Sequence, residues 1–500
     1  MLTSSSKTAG AEQLFWVGAS ALAGAVILAA FPLYLVNETS VSLYALSSPI
    51  LLTSACVAVL LSANGIRYSL ASPLVIVASI YLVCLGLPSV IFALTPAGKR
   101  DPFVGLEYVS VVDLYALAVV LLFFLGFTLA ELRNRHSQGR KAVGSYTKSP
   151  EGRDIHTDAE FAATKNSQYK TTANLLCVIA FSALACFYFS MRSQGMLNDD
   201  VLRGTGQFDS WNWVEYLALL GKGGLLMSTL TAGVLWPRHP YRRLWLVPFA
   251  SFFMGATTDS RAVLLPFLLF LIPSTLVRRA VFGRRLIAVA VLCVLSAAYL
   301  LEVRPSHMGL GGFFKAVGRG PDRDEGVGLL AGVSSLEYTS GPFWVSNQAK
   351  PPHVIAQVWR LVNPLPSFVV EQNLFLTNMM PYLGVYGGNS GAPFPLLGEL
   401  FFFFGWWGVG FAFPSGFLMS VVFRRCEKSL KTGPQENLLW PLLYMGFVEG
   451  MVDGMHSGLR TVTRFPVWAI LWSIVFAQSV KLINGKKRPS VFSSRADCSP

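Results

Sequence analysis

The stretch LFWVGASALAGAVILAAFPLYLV, residues 14–36, holds no charged side chain. It is too long for the apolar core of a cleavable signal peptide, and no small-residue cleavage site follows it, so it reads as a first membrane span. A bilayer core about 30 Å thick needs about 20 apolar helical residues, fewer where the span is short or the bilayer thinned. Working outward from residues 14–36, comparable or shorter runs are Leu43–Leu61, Pro73–Leu94, Val111–Ala130, Ala173–Phe189 and Trp213–Leu235. Beyond them come Leu244–Ala256, Ala262–Leu276, Leu286–Leu301, Leu396–Phe423, Leu438–Val452 and Val467–Val480. The series predicts an all-α polytopic membrane protein with about twelve transmembrane helices, one integral-membrane domain over residues 1–500.

Composition agrees. Hydrophobic residues make up 53% of the 500 and charged residues 13%, against about 25% in an ordinary soluble domain. The mean hydropathy is +0.50. A soluble enzyme, a disordered scaffold and a secreted disulfide module are all excluded. The net charge of +13 does not point to nucleic acid, because the basic residues form no continuous patch. They fall in short clusters between the apolar runs, as cytoplasmic loop charges do. With the N-terminus inside, the inner segments hold twice as many Lys and Arg as the outer ones, although the longest loop lies outside. The positive-inside rule therefore puts both termini in the cytoplasm. No CxxC pair occurs and no cysteine falls in an outer segment, so neither a disulfide framework nor a cysteine zinc site is expected.

Two loops stand out. Residues 131–172 mix charges with Ser, Thr, Gly and Ala without an apolar period, which predicts a flexible cytoplasmic linker. Residues 302–395 form a large outer loop with equal numbers of acidic and basic residues. Its short apolar or amphipathic pieces, Leu310–Val317 and Val354–Val362 among them, are suited to lie along the membrane surface. A loop of that length is usually functional or disordered, and its aromatic and amphipathic content favours function. Residues 481–500 form a basic cytoplasmic tail. No internal repeat is visible. A transporter of two equal halves would carry its long connection after span six, whereas here it follows span nine.

Arg261 is the strongest chemical signal. It closes Ala256-Thr257-Thr258-Asp259-Ser260-Arg261, between the short runs Leu244–Ala256 and Ala262–Leu276. The first of these rises about 20 Å as a helix, less than the hydrocarbon thickness, so the turn is recessed. A buried Arg either pairs with a carboxylate, here Asp259, simply closing a hairpin, or offers its guanidinium fork to a phosphate. Lys222 lies about 14 Å into span six by helical rise. It is either a functional intramembrane cation or the partner of Glu399 or Glu449. Glu399, in Pro393-Phe394-Pro395-Leu396-Leu397-Gly398-Glu399-Leu400, enters the membrane where the long loop ends. It is a candidate general base or a carboxylate that orients an Arg. After it come four Phe, read as lipid-facing or packing surface, and Gly405 and Gly408, whose spacing allows close helix contact.

Among the other outer arginines, Arg192, Arg304 and Arg360 lie nearest to span ends or amphipathic pieces, and Arg203, Arg460 and Arg464 are more scattered. Solvated surface charge is the ordinary fate of any one of them. His307, in Arg304-Pro305-Ser306-His307, is a second candidate base, although most loop histidines are inert. Asp322-Arg323-Asp324 spells the metal-binding D-x-D of sugar transferases without the nucleotide-binding fold that chemistry needs. Asn37-Glu38-Thr39 fits a glycosylation sequon but abuts span one. No P-loop, dinucleotide fingerprint or H-E-x-x-H motif is present.

These residues together resemble the Wzy-type polymerases of bacterial O-antigen and related polysaccharides. The resemblance covers about residues 190–425. It rests on Arg261 between paired short apolar runs, and on the late outer loop running through Arg360-Leu361-Val362-Asn363-Pro364. It rests also on Leu397-Gly398-Glu399-Leu400-Phe401 with Gly405 and Gly408. It implies a glycosyltransferase of the GT-C-like kind in the bacterial inner (cytoplasmic) membrane. The substrates would be undecaprenyl-diphosphate-linked oligosaccharides on the outer face, with no metal, cofactor or nucleotide sugar. A chain-length regulator is an implied protein partner; nucleic acid is not. Arg261 would hold the departing diphosphate, helped by Arg192, Arg203, Arg304, Arg360 or Lys222. Glu399 or His307 would take the acceptor proton. Two alternatives remain open. One is an O-antigen ligase, which hands polymer to a lipid core. The other is a transporter of polysaccharide or lipid-linked sugar, with Lys222, Glu449 and Asp453 lining its path.

Overall fold

The computed structural model describes residues 41–65, 71–87, 89–90, 106–143, 155–193, 213–237, 241–257, 265–278, 396–432, 438–457 and 459–485. Among the described residues every regular element is helical. The helices are α1 (Val41–Gly65), α2 (Pro73–Tyr81, continued by a π-helical turn Leu82–Gly86), α3 (Leu106–Val143) and α4 (Ile155–Ser193). Next are α5 (Trp213–Leu235), α6 (Leu246–Thr257) and α7 (Leu265–Arg278). The last four are α8 (Leu396–Phe404), α9 (Ala412–Thr432), α10 (Leu439–Ser457) and α11 (Leu459–Gly485). The expected spans Leu14–Val36 and Leu286–Leu301 and the loop 302–395 lie outside the described residues. The described parts of the other expected spans are helical, and the span expected over Leu396–Phe423 is divided between α8, a 3₁₀ stretch and α9.

Among the described residues four segments are long and apolar enough to cross a membrane: Ser110–Arg133, Tyr169–Ser190, Gly405–Lys431 and Val462–Ile483. The shorter apolar pieces Ser47–Leu60, Pro73–Gly86, Leu220–Leu235 and Leu439–Val452 pack among them. Large apolar side chains face outward from the bundle, among them Val178, Phe189, Leu471 and Val475. A continuous apolar core fills its inside, from Leu52 and Tyr81 through Phe127 to Tyr444 and Phe476. A protein apolar on both faces has lipid as its solvent.

The sequence reading of 131–172 as a flexible linker needs correction. α3 and α4 have 38 and 39 residues, each rising about 57 Å, well beyond the hydrocarbon. Helix therefore occupies 131–143 and 155–172. The composition lacks an apolar period because these turns leave the apolar layer, and helix needs no such period once a span has nucleated it. Good helix formers sustain it: Leu132, Arg133, Arg135 and Gln138 in α3, and Asp158 and Glu160 near the positive N-terminal end of α4. In the same way, α11 carries helix into the first residues of the tail, to Gly485.

α3 and α9 run parallel and touch through glycine. A Cβ on Gly126 would strike the backbone carbonyl of Phe413, and one on Gly416 the carbonyl of Phe123. Only hydrogen at these two positions lets the backbones approach so closely. One to two turns further on, Glu131 on α3 is 3% exposed and is clasped by α9. Its Oε1 accepts from Ser420 Oγ and from Arg424 Nε, each at 2.8 Å, and its Oε2 pairs with Arg424 Nη2. Arg424 Nη1 lies 3.5 Å from Glu427 as well. α10 runs antiparallel to α9, with Tyr444 against Phe423 and the Arg425 guanidinium 4.3 Å over the Trp440 ring. The Tyr444 hydroxyl donates to the carbonyl of Ala71 before α2. These contacts mark one end of the bundle, the Arg424 end.

α4, α5, α6 and α7 form the second part. Arg243 reaches Asn174 at 3.3 Å near the start of α4, and Tyr188 donates to the Phe253 carbonyl at 3.3 Å near its finish, so α4 and α6 are parallel. Phe249 and Phe252 meet Phe267, and Trp245 meets Phe270, which makes α6 and α7 an antiparallel hairpin. Trp472 Nε1 donates to Thr231 Oγ1 at 2.9 Å, joining α11 to α5.

Because one carboxylate of α3 satisfies three groups of α9, removing either ionic partner leaves the other without its main counter-charge, Glu131 keeping Ser420 and Arg424 keeping Glu427. Arg424→Met and Glu131→Leu are each expected to cost about 2 kcal/mol, Arg424 being partly exposed, and the double variant less than their sum. Thermal unfolding of the four proteins in detergent checks this; strict additivity would show that the pair carries no coupling.

Candidate functional site

The expected span Leu396–Phe423 is not one helix. α8 stops at Phe404, residues Gly405–Phe411 form a 3₁₀ stretch, and α9 resumes at Ala412. Gly405 has φ +55°, the left-handed conformation that caps a helix and that a side chain resists. Beyond it Trp406 and Trp407 are 55% and 89% exposed, as tryptophans at a membrane–water boundary are. The break is fastened to α3. The Tyr115 ring meets Phe401 at 5.4 Å and Trp406 at 5.7 Å, and Gly408 fits between the Tyr115 hydroxyl and the Leu400 carbonyl. The Phe block is thus packing surface in part, with Phe403 buried and Phe401 against Tyr115. Gly408 provides the expected close contact. Gly405 serves a different purpose, ending α8.

Glu399 sits in the first turn of α8, only 8% exposed. A carboxylate there meets the positive end of the helix. α8 packs against both α10 and α11 as well as α3. On α10, Glu449 is 4% exposed. Gly446 of α10 faces Phe465, and Gly454 faces Val462, so Glu449 lies at the level of Arg464 on α11. The Arg464 guanidinium stands 4.5 Å over the Trp468 ring, a placement that holds a cation in an apolar wall. Two buried carboxylates and one ring-held cation therefore gather at the end of the bundle opposite Glu131 and Arg424.

The expected site residues are distributed as follows. Glu399 belongs to this end. Lys222 does not enter the bundle. It is exposed on α5, and among the described residues no ion pair joins it to Glu399 or Glu449. Its neighbours explain why: Gly221 packs on Ala183 and Phe187, and Gly223 on Trp468, which turns residue 222 outward between the two contacts. Arg192 falls in the last turn of α4, its side chain outside the described residues, and Arg203, Arg261, Arg304, His307 and Arg360 also lie outside them. Asp453 is on α10, its side chain likewise outside. Thr257, the last described residue before Arg261, ends α6 at the Phe253 side, the same end as Glu399.

Glu449 and Arg464 were the residues that sequence reading undervalued. Each carried a signal. Glu449 is a carboxylate inside an apolar run, and Arg464 stands one helical turn before Trp468, the spacing that puts two side chains on one helix face. Among the described residues no group of three or more His, Cys, Asp or Glu is placed to hold a metal ion. No family model matches the chain, and no curated protein or solved structure matches it either.

The break at Gly405 sets the position of Glu399 relative to α9. A Cβ at 405 would meet nothing within 4 Å, so a substitution there is opposed by conformation alone. Gly405→Ala is expected to cost about 1 kcal/mol and Gly405→Asn about half of that, since Asn tolerates the left-handed region. Unfolding midpoints in detergent test the ranking; equal losses would mean that the positive φ is not what the variants disturb.

Proposed function

We propose that the protein polymerises lipid-linked oligosaccharide repeat units on the outer face of the bacterial inner membrane. The growing chain is transferred from undecaprenyl diphosphate to a new lipid-linked unit. The observation that carries this reading is Glu399, buried in the first turn of a short helix that a backbone break sets apart from the rest of its span. Broken helices at membrane depth are tolerated where they are buried in protein or line a cavity, and there they mark binding sites.

The chemistry follows from that placement. An acceptor hydroxyl attacks the anomeric carbon of the donor sugar as the bond from that carbon to the diphosphate oxygen breaks. The diphosphate leaves with the bonding electrons, and the hydroxyl proton passes to a base. Glu399 is the base in this reading, with His307 the alternative from the outer loop. The leaving diphosphate needs cations. Arg464 is held at the Glu399 end by Trp468, Arg261 stands four residues after the end of α6 in the sequence, Arg192 is in the last turn of α4, and Arg203, Arg304 and Arg360 belong in this reading to the outer loops. Lys222, exposed on α5, would meet a lipid-borne diphosphate at the bundle surface. The reaction uses energy already stored in the diphosphate linkage, so no nucleotide sugar, metal or other cofactor enters.

The same reading gives the chain twelve spans in a GT-C-like arrangement, both termini cytoplasmic, with the Arg424 end inside and the Glu399 end outside. Basic residues concentrate beyond the Arg424 end, in α3 after Arg133 and in Arg424, Arg425, Lys428 and Lys431 of α9.

Cells lacking the gene and complemented with wild type, Arg261→Ala or Glu399→Gln test the proposal by a gel of surface glycan and lipid-linked sugar. Wild type is expected to restore the full ladder. The null strain and both variants should stop at a single repeat unit, with chain elongation lowered 100-fold or more at normal protein level, on the order of the loss of a general base. Long polymer that stays on the lipid carrier in the null strain would make the protein a ligase. An unchanged glycan would sink both readings in favour of a transporter.

A further inference from the structure

α3 carries two buried carboxylates, and they are treated in opposite ways. Glu131 is fully matched by Ser420 and Arg424. Asp113, in the half of α3 nearer Glu399, is 0% exposed and has much less. Its Oδ1 accepts from Ser89 Oγ at 2.8 Å, while among the described residues its Oδ2 has no hydrogen-bond partner. No Lys, Arg or His among those residues forms an ion pair with it. Ser48 on α1, 4% exposed, is the second hydroxyl at the same carboxyl and lies close enough to act on it as a hydrogen-bonding group, although its Oγ and Asp113 Oδ2 do not meet in full hydrogen-bond geometry. Below them in the α1–α2 seam, Thr53 Oγ1 and Tyr81 OH are buried without partners. A stranded buried hydroxyl costs about 1–3 kcal/mol, and a stranded charge more. A carboxylate matched only by hydroxyls, beside a seam that holds further unpaired ones, is a poor way merely to join three helices.

Both helices that face Asp113 are disrupted beside it. α1 contains Pro49, which has no N–H and so frees one backbone carbonyl of the preceding turn, next to Ser48. α2 passes through the π-helical turn Leu82–Gly86 just before Ser89, and π turns likewise loosen the ladder of backbone bonds. Gly86 of that turn lies against Thr53, where a Cβ would come within 2.9 Å of Oγ1. One carboxylate and two serine hydroxyls, drawn from three helices of which two are interrupted nearby, form a set of hard oxygen ligands with a single negative charge.

We infer that Asp113, Ser48 and Ser89 form a binding site for a monovalent alkali cation, sodium being the probe, at which α1, α2 and α3 are held together. The charge selects the class. A single positive charge neutralises the lone carboxylate, whereas a divalent ion would leave net charge buried in apolar surroundings, with no second carboxylate to meet it. Oxygen-only ligands suit a hard cation and exclude softer transition metals. The site stands independently of the polymerase reading, which uses none of these residues.

Purified full-length protein in detergent is heated in sodium chloride, potassium chloride or choline chloride at equal ionic strength and at several pH values. Choline is too large for a packed three-helix seam. A cation bound only by the folded state raises the midpoint, here by about 3 °C in sodium over choline. Asp113→Asn is expected to abolish that difference, and Ser48→Ala or Ser89→Ala to reduce it. Equal midpoints in all salts overturn the proposal, as does a stabilisation that follows pH and ignores sodium, which would give the carboxyl a proton instead. The same sodium shift in Asp113→Asn overturns it too. If Asp113→Asn does not accumulate, saturable binding of radioactive sodium to wild type, weakened in Ser48→Ala and Ser89→Ala, decides; its absence from wild type sinks the site.

Discussion

The clasp between α3 and α9 is the constraint on which the rest of the bundle depends. Gly126 and Gly416 each lie against the other helix's backbone, and beyond them Glu131 closes on Ser420 and Arg424. Without a hydrophobic driving force between helices in lipid, association rests on close packing and on polar pairs shielded from water. Both are present at one crossing. The glycines fix how near the helices come, and the ion pair fixes their register along the axis. α9 is the continuation of α8 through the 3₁₀ stretch, so fixing α9 against α3 also fixes where Glu399 stands. The aromatic contact of Tyr115 with Phe401 and Trp406 repeats the attachment on the far side of the break.

Registers elsewhere follow the same axis. Tyr444 reaches Ala71 and Phe423 at the Arg424 end, while Gly446 and Gly454 line α10 along α11 toward the opposite end. Thr231 with Trp472, and Thr229 with Ser251 at 2.7 Å, tie α5 to α11 and to α6 by hydroxyls buried in otherwise apolar seams. Each such bond costs little to form in lipid, because the alternative is a hydroxyl with no partner. The hairpin α6–α7 is thereby set beside the same core that carries Glu449 and Arg464.

How much of this was legible depends on the physics behind each signal. Apolar run length reports the lipid thickness directly, so the described apolar runs are helical and four of them are long enough to cross, while the break inside Leu396–Phe423 is not written in run length. Azimuth around a helix is not written in run length. Lys222 was read by depth alone as an intramembrane cation, functional or paired with Glu399 or Glu449, and the glycines on either side of it decide its outward direction through their contacts with Phe187 and Trp468. Residues 131–143 and 155–172 looked like a linker because charge suppresses the apolar period, yet helix propagates from a nucleated span without needing that period. At Gly405 and Gly408 the same residue type has two uses, one conformational and one steric, and the sequence shows only that glycine is there. For the candidate site, Glu399 was legible as a carboxylate entering an apolar run. Its company was not, since Glu449 and Arg464 come from α10 and α11, and pairing across helices requires the fold.

Among the described residues the irregular backbone is unevenly distributed, and the unevenness bears on where the proposed chemistry lies. At the Arg424 end α3 and α4 run on as unbroken helix. Toward the Glu399 end are Pro49 in α1, the π turn of α2, the Gly405 break with its 3₁₀ stretch, and Pro466 in α11 two residues from Arg464. On the other side are Pro273 in α7 and the short 3₁₀ turn Arg242–Trp245 that leads into α6. Each interruption frees backbone groups that lipid cannot satisfy, at a cost of several kcal/mol per group if nothing else does. Interruptions of that cost survive where protein, solvent or ligand takes over the freed groups. Their concentration at the end holding Asp113, Glu399, Glu449 and Arg464 is therefore a second line of reasoning to the same place. It uses the backbone alone, independent of the charges, and it agrees with the proposed placing of the site at that end.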